Sequence, residues 1–149
     1  MPVLRVMIGV AGSGKSTFLL NNPRPQEVVL SPDQYLVEHY NYQWSPQRAA
    51  EAWAFEYQRF GRLILEQREL AFDAMFLSRI ERSALVHIAK GAGYEVWAVC
   101  LTTSLEFCIE RNRKRDREPV PDERIRQMHS RLRIPSQDEG FDQIIQVNG

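Results

Sequence analysis

The chain has 149 residues, the length of one domain, and its 44% hydrophobic and 10% aromatic content can bury a core, which sets global disorder aside. Nineteen Lys plus Arg balance nineteen Asp plus Glu, so a uniformly basic polyanion-coating protein is excluded. No apolar run approaches the roughly 18 residues of a membrane span, Met1–Arg5 does not open a signal peptide, and two cysteines, Cys100 and Cys108, are too few for a disulfide framework or a zinc site; a cytoplasmic chain with reduced thiols and no membrane partner is expected.

In chain order, Val3 to Val10 reads as a short buried strand and Ser13 to Leu20 as a helix stopped by Asn21-Asn22-Pro23. Glu27 to Ser31 is a second strand. Pro46 to Glu66 is a long helix whose Trp53, Tyr57, Phe60 and Ile64 form one stripe, most simply core. Leu70 to Asp73 is a third strand, and Ser78 to Lys90 a helix closed by Gly91 and Gly93. Tyr94 to Leu101 is a fourth strand, followed by a helix from Ser104 to about Asp116. Pro121-Asp122-Glu123 opens a further helix, with acids suited to its dipole, and Pro135 lies beyond its end. Gln143 to Val147 is a last strand. Short strands alternating with helices predict a single α/β domain over residues 1–149: a five-stranded parallel sheet with helices on both faces.

Gly9-Val10-Ala11-Gly12-Ser13-Gly14-Lys15-Ser16 fits the pattern G-x-x-x-x-G-K-[S/T] between a strand and a helix. Glycines let the backbone curl around a phosphate, and the N–H groups of the loop and helix terminus then face the anion. Residues Gly9, Ala11 to Ser16 and Thr17 are therefore the candidate ATP-binding set. Lys15 is expected to reach the β- and γ-phosphates and the Ser16 hydroxyl to ligate Mg²⁺. No guanine-reading segment is present, and the chain is short for an ATPase core with an extra helical domain; a small kinase fits the length.

A kinase needs a carboxylate beside the acceptor hydroxyl. In open α/β sheets ligands lie beyond the carboxyl ends of the strands, where this chain has Asp33, after the second strand, and Asp73, closing the third. Asp33 can instead cap a following helix, and Asp73 can touch Mg²⁺ through water.

The run Glu110 to Arg117 holds five cations. Arg111 and Arg115 are spaced to share one helical face and Arg113 and Arg117 another. Such a run can be a solvated face or a lid that brings guanidinium groups to a transferring phosphoryl group. Between Glu110 and Arg133 there are nine Lys/Arg and five Asp/Glu, so the neutral total conceals a positive segment. Tyr40, Tyr42 and Trp44, in a looser segment, are candidates for stacking on bases. His39, His87 and His129 are scattered and read as structural.

Together the phosphate loop with Thr17, Ser31-Pro32-Asp33-Gln34-Tyr35, Phe72-Asp73, and Glu110-Arg111-Asn112-Arg113-Lys114-Arg115 followed by Val120-Pro121-Asp122-Glu123-Arg124-Ile125 resemble the kinase domain of phage polynucleotide kinase. The ending Glu139 to Asp142 resembles that of single-domain P-loop relatives of that enzyme. The resemblance implies a three-layer P-loop kinase sandwich with an Arg-bearing lid over about residues 104–133. It implies ATP and Mg²⁺ as cofactors and a nucleic acid 5′ end as acceptor. Asp33 then falls on the general base, Lys15, Arg111 and Arg115 on catalytic positions, and Asp73 and Tyr35 on the acceptor side. Two departures lie on that side: Leu36 stands where the family has an Arg, and Met75 where it has an Asn. Arg79 or Arg82 is available to replace the missing guanidinium. The apolar departures leave open a small-molecule or nucleoside kinase, and a nucleotide-binding module without an acceptor is the non-enzymatic alternative.

Overall fold

The computed structural model describes residues 1–148. Five strands, β1 (Val3–Ile8), β2 (Val28–Leu30), β3 (Leu70–Phe72), β4 (Glu95–Leu101) and β5 (Gln143–Val147), form one sheet in the order β2-β3-β1-β4-β5. Every neighbouring pair is parallel. Six helices connect them: α1 (Lys15–Asn21), α2 (Pro32–Tyr40), α3 (Pro46–Leu65), α4 (Arg79–Gly91), α5 (Leu105–Arg113) and α6 (Asp122–Arg131).

β1 lies at the centre because it is buried along its whole length, as a parallel strand covered on both faces must be. Its alternate residues serve opposite layers. Leu4, Val6 and Ile8 pack with Phe60 and Leu63 of α3 and Leu85 and Val86 of α4. Met7 packs with Leu19 of α1. A third cluster, with Val10, Ile109 and Ile125, joins the chain after β1 to α5 and α6. These contacts make the expected three-layer α/β sandwich. The exception within β1 is Arg5, whose buried guanidinium is met by Glu27 at 2.8 and 2.5 Å and by the Asn22 carbonyl at 2.9 Å. Among the described residues no helix is long and apolar enough to cross a membrane.

One alternative falls away and one expectation changes. Asp33 does not cap α2: Ser31 does, in extended conformation, its hydroxyl accepting from the Gln34 N–H. Pro32 then occupies the first turn, where its missing N–H costs nothing, and Asp33 is left facing outward. The helix expected to reach Asp116 stops at Arg113, and the next residues form a loop.

Candidate active site

The phosphate loop starts where β1 ends. The Gly9 N–H donates to the Met75 carbonyl and the Ser13 N–H to the Val10 carbonyl, which closes a tight turn. Gly12 and Gly14 have φ of +81° and +105°, the left-handed region that favours glycine. A Cβ on Gly12 would collide with the Cys108 carbonyl of α5, and one on Gly14 would lie 2.9 Å from Arg111 Nη1. The loop is therefore a bare-backbone cradle pressed against α5. The first N–H groups of α1 have no carbonyl one turn behind them within the helix and open into the same space.

Ala11, Gly12, Gly14, Lys15, Ser16 and Thr17 line a cleft of about 870 Å³. Gly9 and Ser13 do not. The Ser13 side chain is buried and its hydroxyl has no partner, its N–H is consumed inside the loop, and its carbonyl accepts from Thr103 Oγ1 at 2.7 Å. These two residues thus lie behind the face of the loop that lines the cleft.

Lys15 Nζ donates to the Gly9 and Val10 carbonyls, both at 3.0 Å. Burial lowers its pKa, while Asp73 and Asp33 pull it back up. Ser16 Oγ donates to Asp73 Oδ2 at 2.7 Å. Burial raises the Asp73 pKa, opposed by the Lys15 charge and the Ser16 bond. Asp73 therefore stands beside Ser16, the residue suited to a divalent ion, and lines the same cleft. A glycine cradle, a lysine, a hydroxyl and one nearby carboxylate fit a nucleotide phosphate with Mg²⁺, an ion commonly held by one or two carboxylates plus phosphate oxygens.

Asp33 lines the cleft from the first turn of α2, with its side chain largely exposed, and Arg117 Nη2 donates to its Oδ2 at 3.3 Å. The Arg117 guanidinium lies over the Tyr42 ring at 3.5 Å. Leu36, Trp53 and Met75 supply apolar wall. Trp44 stands at the same cleft with Arg124 4.8 Å above its ring.

Arg111 and Arg115 also line the cleft, but not by sharing a helical face. Arg111 is in the last turn of α5; Arg115 lies beyond its end, and the loop brings it inward. Burial lowers the Arg115 pKa and the neighbouring Arg117 lowers it further, against the pull of Asp33. The rest of the run is solvated pairing: Arg113 with Asp122, and Lys114 with Glu110.

Tyr35 is turned away from the cleft. Its hydroxyl donates to Glu51 Oε2 at 2.6 Å and its ring stacks on His39 at 4.0 Å. The Glu51 bond and burial push its pKa up to about 12. It serves α2–α3 packing and does not line the cleft. Tyr40 donates to the same carboxylate, which leaves Tyr42 and Trp44 as the cleft aromatics of that segment.

Neither Arg79 nor Arg82 supplies the acceptor side. Arg79 pairs with Asp138 on the surface at 2.8 Å. Arg82 is buried, bonded to both Glu139 oxygens and to the carbonyls of Phe76, Leu77 and Arg133. The guanidinium beside Asp33 comes instead from Arg117, 84 residues along the chain. Its only signal in the sequence is membership of the arginine run.

A phosphate loop on the central strand of this parallel sheet, with strand-end carboxylates and arginines around one cleft, defines a P-loop kinase-like protein. Residues 4–135 match the family described as AAA domain (AAA_33), and the chain belongs to it. The match runs from β1 to just past α6 of the α/β core. No curated protein matches the sequence. Among solved structures, a chain of the Pnkp1/Rnl/Hen1 RNA repair complex aligns at TM-score 0.76 and 20% identity, over 88% of this chain and 44% of that one. A gluconokinase from Sinorhizobium meliloti aligns at TM-score 0.63 and 19% identity, over 99% and 82%. Kti12 of Chaetomium thermophilum, in complex with ADP-AlF3, aligns at TM-score 0.66 and 16% identity, over 97% and 88%. At these identities the likeness is one of fold. The chain spans less than half the length of the repair-complex chains it matches.

Proposed function

We propose that the protein is an ATP- and Mg²⁺-dependent phosphotransferase whose acceptor is a hydroxyl, and that this is the 5′-hydroxyl of a polynucleotide. The observation that carries the reading is the convergence of Lys15, Asp33, Arg111 and Arg115 on one cleft. Lys15 exchanges its loop carbonyls for β- and γ-phosphate oxygens. Asp33 orients the acceptor hydroxyl and takes its proton as the acceptor oxygen bonds to the γ-phosphorus and the bond to ADP breaks. Arg111 and Arg115 face the charge spreading over the γ-phosphate oxygens. Ser16, with Asp73 behind it, would hold Mg²⁺, which would supply neutralisation of the developing phosphate charge.

A polynucleotide acceptor is supported by Arg117 beside Asp33, by Trp44 under Arg124, and by the fold shared with a chain of an RNA repair complex. The apolar wall of Leu36, Trp53 and Met75 favours a second reading, a small-molecule or nucleoside kinase. Labelled ATP offered with 5′-hydroxyl DNA and RNA oligonucleotides, and separately with nucleosides and sugars, separates the two. Label on oligonucleotides is expected; label on metabolites alone would establish the second. Asp33→Asn is expected to abolish transfer while ATP still binds. Absence of transfer to any acceptor by the unaltered protein would leave a nucleotide-binding module.

A further inference from the structure

Asn112 is fully buried in the last turn of α5. Its side-chain amide makes two bonds to one residue: Nδ2 donates to the Val120 carbonyl at 2.6 Å, and Oδ1 accepts from the Val120 N–H at 3.1 Å. The pairing fixes the amide orientation, since a flipped amide would set N–H against N–H and oxygen against oxygen. Val120 stands between Pro119 and Pro121, which have no N–H of their own. The amide therefore engages the only backbone donor of that tripeptide and closes the loop between α5 and α6. That loop carries Arg115 and Arg117.

The same helix is fixed to the phosphate loop at its other end. Thr103 Oγ1 bonds the Ser13 carbonyl, and the Cys108 carbonyl abuts Gly12. Between these anchors and Asn112, α5 is a rigid ruler one to two turns long, with phosphate-loop backbone at one end and the arginine loop at the other.

We infer that Asn112 is a positioning residue: by stapling Val120 to α5 it sets Arg115 and Arg117 at the right distance from the phosphate loop and Asp33. It touches no substrate and acts through those two arginines. The inference rests on the phosphotransfer reading for its kinetic consequence and on the staple alone for its structural one.

Asn112→Leu removes both bonds while keeping the side chain's branched shape. With labelled ATP and a 5′-hydroxyl oligonucleotide, turnover is expected to fall on the order of tenfold or more, as misplaced catalytic groups do. Affinity for a fluorescent ATP analogue is expected to stay within about twofold, because the cradle is intact. Asn112→Asp distinguishes positioning from a bulk packing role. A protonated Asp has Asn's shape and can donate to the Val120 carbonyl, whereas the buried carboxylate cannot. Its turnover relative to the unaltered protein should therefore recover as pH falls from about 8 to about 6. Unchanged turnover in Asn112→Leu, loss of nucleotide affinity in step with turnover, or no pH recovery in Asn112→Asp would overturn the inference. If the unaltered protein phosphorylates nothing, the kinase reading fails separately and amide hydrogen exchange decides. Faster exchange confined to residues 114–120 in Asn112→Leu supports the staple, and unchanged exchange there refutes it.

Discussion

Replacing Gly12 with Ala puts two demands on one methyl group. The residue must hold φ of +81°, which costs an L-residue about 1–2 kcal/mol. The new Cβ must also displace the Cys108 carbonyl, a backbone atom of a helix held by Thr103 and by the Ile109 and Ile125 packing. Overpacking of that kind costs about 1–3 kcal/mol. The sum, roughly 2–5 kcal/mol, corresponds to a fall in melting temperature of about 5–20 °C for a domain of this size. Two other glycines separate the contributions. Gly93 has φ of +86° but open space around it, so Gly93→Ala should lose only the conformational part, about 1–2 kcal/mol. Gly61 lies inside α3 in open space with no positive φ, so Gly61→Ala should gain about 0.5–1 kcal/mol. Thermal melts of the three variants and titration with a fluorescent ATP analogue measure the series. Only Gly12→Ala should also lose nucleotide affinity, because loop and α5 must part. If it melts and binds as Gly93→Ala does, α5 does not brace the phosphate loop and the reasoning fails.

Other perturbations test other parts of the molecule. Arg82→Met strands the buried Glu139 and removes a donor from three carbonyls; it should cost about 3–5 kcal/mol, read by denaturant unfolding, whereas Arg79→Ala on the surface should cost little. Arg117→Gln should raise KM for a 5′-hydroxyl oligonucleotide on the order of tenfold while leaving ATP-analogue affinity unchanged, and an unchanged KM would remove Arg117 from the acceptor side. Hydrogen bonds from Tyr35 and Tyr40 lower the Glu51 pKa below 4.5. A depressed carboxylate stabilises the fold above its unfolded value and loses that contribution as pH falls through the folded one. Glu51→Gln should therefore melt below the unaltered protein at neutral pH, with the gap closing as pH drops below 4.5.

Much of the molecule was legible along the chain, wherever structure is dictated by neighbours in sequence. The strand, glycine loop and Lys15–Ser16 pair follow from residues within one short stretch, and the apolar runs name the five strands. Helix ends were less legible: α2 starts on whichever residue takes an extended backbone, Ser31 and not Asp33, and α5 stops at Arg113 and not Asp116. The side on which Tyr35 falls depended on Glu51, a helix away.

By itself the sequence determined the phosphate cradle, the parallel sheet and the presence of carboxylates beyond β2 and β3, since each rests on local pattern and on the geometry of parallel sheets. The tertiary structure alone decided how the arginines are divided. Arg82 went into the core with Glu139, Arg113 to the surface with Asp122, and Arg115 and Arg117 to the cleft. In sequence these are interchangeable cations. A guanidinium takes its role from the partner that meets it, and those partners are set by packing between segments 9 to 84 residues apart.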